Sequence, residues 1–208
     1  TILIPAPFYS NQLEVIVNIA KALPVDCVLY VKEHPMQKIR GWRNVSYYKE
    51  IMELPNVRLF HPSVSNDEMV KNCSLVITIT GTSGLEAAFY NKSSIVFTDV
   101  IYSSLPSVYR LKSLEELPQA IRISLQKEVN PSDLNDFVNL IDKNSFEFDV
   151  FGLHNNIINK FHMGGFLINN EISIHELNSF LEENKEKFEH LAYEHMKAIN
   201  HYRKRTIK

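Results

Sequence analysis

Residues 74–90, SLVITIT-GTSG-LEAAFY, constrain the fold more than any other stretch of the chain. A continuous apolar, β-branched run too short for a typical helix reads as a strand buried on both faces, in the middle of a parallel sheet. Gly81 and Gly84 follow at once, interleaved with Thr82 and Ser83. The glycines let the backbone turn sharply, and the hydroxyls stand at the mouth of a helix-like segment. A helix start exposes unpaired N–H groups and a partial positive charge, which suits a phosphate or a carboxylate.

The rest of the chain repeats the same alternation. Residues 1–6 read as a strand, 13–23 as a helix opened by Asn11 and Glu14 and stopped by Pro24, and 25–31 as a second buried strand. A polar loop over 36–43 leads to a helix over 45–54, ended by Pro55, and 57–60 is a short strand. Ser65 and Glu68 form a capping-box pattern that opens a short helix to Asn72. After the glycine turn come a helix over 85–90, a strand over 94–98 and an edge strand over 108–111. Residues 113–117 form a capped turn, and Pro118 reads as the first residue of a helix running to Gln126. Strands alternating with helices predict βαβ units, hence a doubly wound, mostly parallel Rossmann-like α/β sheet.

Past residue 130 the pattern changes, so the expected division is a nucleotide-binding domain over 1–129 and a helical C-terminal extension over 130–208. In the extension 134–141 reads as helical and 144–166 as irregular. Ser173 and Glu176 cap one long helix with Leu177, Phe180, Leu181, Phe188, Leu191, Met196 and Ile199 as its apolar stripe. That stripe has three candidate partners: the sheet, a further domain or a second copy of the chain.

Composition narrows the function classes. A formal net charge of −2 argues against a nucleic-acid binder. Cys27 and Cys73 lie among apolar residues and read as small buried hydrophobes, with neither metal-ligand spacing nor a disulfide framework, which suggests a reducing compartment. No apolar run reaches membrane-spanning length and no signal peptide is recognisable. G-x-G-x-x-G after the first strand and the P-loop pattern are both missing. His190 and Glu194 are spaced one residue too far apart for an inverted zinc-protease helix and read as a wet helix face.

In an open α/β sheet ligands bind at the carboxyl ends of the strands. Four polar loops converge there: 7–11, 32–35, 61–65 and 80–83. His34 can donate a ring N–H to a phosphate or neutralise it as imidazolium, with Lys32 as a nearby cation and Pro35 fixing the backbone. The competing reading is a histidine that satisfies a buried carbonyl. Ser83 and Glu86 fit a capping box as well as a phosphate site, and Glu86 fits a helix-capping role as well as a ribose contact. His61, Pro62, Ser63 and Val64 look like a loop against a base or ribose, or a plain turn. Tyr102, Ser103 and Asp99 are weaker candidates for the rim.

The segments Tyr30-Val31-Lys32-Glu33-His34-Pro35 and Thr80-Gly81-Thr82-Ser83-Gly84-Leu85-Glu86-Ala87-Ala88 resemble the capsule polysaccharide biosynthesis family, over roughly residues 1–125. These are GT-B-type glycosyltransferases that include Kdo transferases; bacterial sialyltransferases and the glycerophosphotransferases of teichoic acid synthesis are more distant likenesses. The resemblance implies a donor site with His34 and Pro35 at the nucleotide phosphate, Thr82 and Ser83 beside it, Gly81 in the turn and Glu86 near the ribose. It implies a nucleotide-sugar co-substrate, CMP-linked most often, with no metal and no other cofactor. Only the C-terminal, donor-binding half of a GT-B fold is recognisable. The expectation is therefore that an N-terminal half precedes residue 1 and that the fragment alone binds donor without turnover.

The expected function is sugar transfer to a glycan or glycolipid acceptor during surface polysaccharide assembly. The expected location is cytoplasmic, with attachment at the inner face of the membrane as an option. Two rivals remain: an enzyme using CDP-glycerol, and a non-catalytic assembly domain that oligomerises through its C-terminal helix.

Overall fold

The structure is a computed structural model that describes residues 5–34, 37, 42–162 and 171–206. The chain divides into two compact units, Thr1–Ile141 and Asp142–Lys208. The expected first strand, residues 1–6, lies almost wholly outside the described residues, as do Pro35 and most of the expected polar loop over 36–43.

In the first unit α1 (Gln12–Ala22) starts where the Asn11 side chain accepts from the Glu14 N–H, and β1 (Leu29–Lys32) follows. Residues 25–28 do not join that strand. Cys27 N–H closes a turn on the Pro24 carbonyl, and Val25 is fully exposed. Helix α2 (Val45–Met52) leads to β2 (Val57–Phe60), which pairs parallel with β1 so that Leu29 faces Val57 and Lys32 faces Phe60. Helix α3 (Asn66–Asn72) opens on the Ser65 hydroxyl, which accepts from Glu68 N–H as its capping pattern requires.

A second parallel sheet has the order β3 (Val76–Thr78), β4 (Ser94–Val96), β5 (Val108–Arg110), with α4 (Ser83–Phe89) crossing from β3 to β4. The expectation of a fully buried strand at 74–80 needs correction. Val76, Ile77 and Thr78 are half-buried, and among the described residues β3 pairs on one side only. The buried centre of this sheet is β4, whose three residues are all inaccessible.

Strand β4 also shows why the fold is doubly wound. Side chains alternate along a strand. Ile95 and Phe97 point into a core with Val15 and Ile19 of α1 and Leu117, Ala120 and Ile121 of α5 (Leu117–Gln126). Val96 points the other way, into a core with Ala88 of α4, Tyr102, Leu105 and Phe137 of α6 (Pro131–Lys143). Helices therefore cover both faces. A third cluster, Ala20, Ile51 and Val57, packs α1 and α2 against the first sheet. Helix α6 belongs to the first unit through Leu134, Phe137 and Ile141 on the Val96 side.

The second unit contains α7 (Val150–Phe161), α8 (Ile174–Glu183) and α9 (Lys185–Thr206). Two expectations fail here. Residues 150–161 are helical rather than irregular: Asp149 caps the Gly152 N–H at 2.8 Å, and half-buried Leu153, Ile157 and Phe161 share one face. The single long helix is two, because buried Asn184 ends α8, donating to the Phe180 carbonyl while accepting from Asn156. Of the expected stripe Phe180 is buried, whereas Leu177, Leu181, Met196 and Ile199 are exposed. His190 is exposed, as a wet helix face requires, with its ring edge-on to Phe146 and Nε2 at 3.1 Å from the Glu147 carbonyl oxygen. Among the described residues no helix is long and apolar enough to cross a membrane.

Candidate functional site

All strands are parallel within their sheets, so their carboxyl ends open on a common side of each sheet. At the end of β1 the chain continues through Lys32, Glu33 and His34. Lys32 extends its ammonium 2.9 Å to the Val64 carbonyl oxygen, tying this end to the loop after β2. Glu33 takes Arg43 Nε at 2.5 Å, and the same guanidinium reaches Gln12 Oε1 and lies 4.6 Å over the Tyr47 ring. Sequence reasoning passed over Arg43; its partners are 10 and 31 residues away, beyond any local pattern. His34 is exposed just beyond the strand, its carbonyl accepting from Gln37 N–H.

The loop after β2 folds onto its own histidine. His61 Nδ1 accepts from the Ser63 N–H at 3.2 Å and lies 2.7 Å from Ser63 Oγ, while Val64 N–H returns to the His61 carbonyl. Pro62 holds the bend between them. Because β1 and β2 run in register, His34 and His61 emerge from adjacent strand ends.

The glycine turn is tightly packed. Gly81 N–H donates to Thr78 Oγ1 at 3.0 Å, and the Tyr102 hydroxyl donates to the Gly81 carbonyl. A Cβ on Gly84 would stand 2.7 Å from the Tyr102 hydroxyl oxygen, and one on Gly81 would stand 2.6 Å from Thr78 Oγ1. Both positions therefore need glycine for room. Tyr102 was expected on the rim; it is 3% exposed, and burial with the nearby Glu86 charge pushes its phenol up to about 12. Ser103 also turns inward, accepting the Val100 N–H, and Asp99 pairs with Arg110 at 3.2 Å.

The expected capping box at Ser83 is absent. Thr82 is the N-cap residue of α4, its backbone already helical, and no side chain caps the helix there. Its hydroxyl donates instead to Glu86 Oε1 at 2.8 Å, one helical turn on, and Asn66 Nδ2 donates to Glu86 Oε2 at 2.6 Å. Glu86 thus joins the start of α4 to the start of α3. Asn66 was the residue missed, since its role depends on a carboxylate 20 positions away. Ser83 Oγ makes no hydrogen bond among the described residues.

These contacts form a continuous relay. Lys32 holds Val64; two residues on, Asn66 holds Glu86; Glu86 holds Thr82 beside Gly81. The ends of β1 and β2, already paired in their sheet, are thereby fastened by side chains to the start of the helix that follows β3. Beside the relay Lys71 and the Tyr90 hydroxyl both donate to Asp67, which holds that carboxyl below its usual range. Cys27 and Cys73 are free thiols, half-buried rather than fully buried, and burial raises both. Among the described residues no group of three His, Cys, Asp or Glu side chains is placed to hold a metal ion.

No curated protein and no solved structure matches the chain. A family model described as capsule polysaccharide biosynthesis protein matches residues 6–114, which include the strand ends of both sheets and the whole of the relay. On that match the chain belongs to the capsule polysaccharide biosynthesis protein family.

Proposed function

We propose that this chain binds the activated sugar donor in a glycosyltransferase of capsule-type polysaccharide synthesis, the donor being a nucleotide-linked and most simply a CMP-linked sugar. The observation that carries the proposal is the relay Lys32–Val64–Asn66–Glu86–Thr82 at the carboxyl ends of parallel strands. Side chains spanning three loops there hold polar groups in place before any ligand arrives, and such preorganisation is what stabilises developing charge.

In this reading the donor phosphate lies by the Gly81–Ser83 turn, with the Ser83 hydroxyl as donor. His34 faces the leaving phosphate and offers a ring N–H or a positive charge. A carboxylate has about four lone-pair sites; Glu86 uses one on each oxygen within the protein, and the others accept from ribose hydroxyls. The loop His61, Pro62, Ser63, Val64 borders the base. Release of nucleoside monophosphate then proceeds against groups that neutralise the departing charge.

Calorimetric titration of CMP, CDP and UDP into the wild-type chain tests this directly. His34→Ala should weaken nucleotide binding roughly ten- to a hundredfold, the worth of a hydrogen bond to a charged group. No binding of any of the three, or affinities indifferent to His34, overturns it. Tighter binding of CDP-glycerol than of a CMP-sugar would transfer the same site to glycerophosphate transfer.

A further inference from the structure

The chain has a single tryptophan, Trp42, and it is 54% exposed. One exposed indole needs no explanation by itself. What distinguishes Trp42 is how it is mounted. Its neighbour Arg43 is clamped by Glu33 at the end of β1, by Gln12 at the start of α1 and over the Tyr47 ring. That clamp holds the indole beside the loop after β2, with its ring centroid 6.5 Å from the His61 imidazole and a tilt of 40°.

The His61 ring is fixed as well. With Nδ1 accepting the Ser63 N–H, the neutral ring carries its proton on Nε2, which keeps a donor available. The exposed indole and the His61 ring thus lie side by side just past the carboxyl end of β2.

We infer that Trp42 and His61 form the base subsite of the donor pocket, Trp42 as the stacking wall with the His61 Nε2–H as a donor beside it. The inference rests on the nucleotide reading above and adds a base-stacking residue to it. A ring wall accepts any nucleobase by its face, so the subsite takes the base of a nucleoside phosphate without reading its edge from the tryptophan side.

The sole indole supplies its own probe. CMP and AMP should each quench or shift the Trp42 emission of the wild-type chain, whereas ribose 5-phosphate, which lacks a base, should not. By calorimetry Trp42→Ala should weaken CMP about five- to a hundredfold, the range of one base–aromatic stack, and Trp42→Phe should recover much of the loss. Ribose 5-phosphate should bind wild type and Trp42→Ala alike. CMP binding that leaves the emission unchanged and is equal in Trp42→Ala overturns the base subsite while the donor reading stands. No nucleotide binding to wild type overturns both.

Discussion

The glycine turn of the first unit and the helices of the second hold their polar side chains in different ways. At the turn, Tyr102 is buried against Gly84 and bonded to the Gly81 carbonyl, and Ser94 Oγ reaches the Gly84 carbonyl from the buried centre of the sheet. Backbone, ring and strand close on one another with no room for a methyl group. In the second unit, buried Asn184 aside, the polar contacts are mostly caps and ion pairs in water: Ser173 with Glu176, Lys187 with Asp149, Lys197 with Glu194. Exposed pairs of that kind contribute little. A site that must present unpaired groups to a ligand needs the first kind of support, because the groups themselves cannot supply it.

The largest expected effect follows from the missing room at Gly84. Gly84→Ala places Cβ 2.7 Å from the Tyr102 hydroxyl oxygen and 2.9 Å from Cε2, and that ring is tethered to Gly81. Overpacking of a buried site costs about 1–3 kcal/mol. Trp42 reports on the first unit alone, so the loss should appear in the tryptophan-detected denaturant transition. Adding Tyr102→Phe removes the nearest atom, and the double variant should lose less than the sum of the two singles. Strict additivity would mean that the ring does not abut the turn.

Tyr102 gives a smaller effect with a definite pH signature. Its phenol rises from 10.0 to about 12 in the folded chain, through burial first and then the Glu86 charge. A group whose folded pKa lies above its unfolded one lends stability in full below the unfolded value and loses it as pH climbs through the folded value. Wild type should therefore lose stability between about pH 10 and about pH 12 beyond what Tyr102→Phe loses. At neutral pH Tyr102→Phe should cost about 1 kcal/mol for the hydrogen bond to Gly81. Parallel pH profiles for the two proteins would show the phenol to be wetter than its packing indicates.

How far the sequence could be read follows the same divide between local and distant causes. Strand 57–60 and helix 66–72 fall where expected, because a capping serine and flanking breakers are local signals. Helix Val150–Phe161 was missed because Gly152 and its asparagines lower helix propensity. Tertiary packing, including the Phe161 ring edge-on to Phe180 at 5.1 Å, overrides them. The break at Asn184 was hidden because apolar residues keep helical spacing across it, and only Asn156 from another helix makes the stop visible. At the candidate site Lys32, Thr82 and Glu86 were legible as residue types at strand ends. The pairing of Lys32 with Val64 and the role of Asn66 were not, since each is chosen by a strand order that no motif spells out. Tyr102 was misplaced for the same reason: its hydroxyl suggested the rim, and its burial depends on a glycine 18 positions earlier.

The smallest effect tests whether the two units are energetically separate. Ser173 caps α8 with a complete capping box: its hydroxyl accepts Glu176 N–H at 3.2 Å, and Glu176 takes the Ser173 N–H at 3.0 Å. Ser173→Ala should cost the second unit about 1 kcal/mol, the usual worth of an N-cap. The loss should appear in circular dichroism, to which α7, α8 and α9 contribute, and leave the tryptophan-detected midpoint unmoved, because Trp42 and every residue of the relay lie in the first unit. The Glu176 carboxyl is held below its usual range by the same serine, so the difference between wild type and variant should fade as acid protonates it. A shift of the tryptophan transition by Ser173→Ala would join the two units into one cooperative body, and the contrast between a braced turn and a loosely fastened helical unit would then be one of packing without being one of stability.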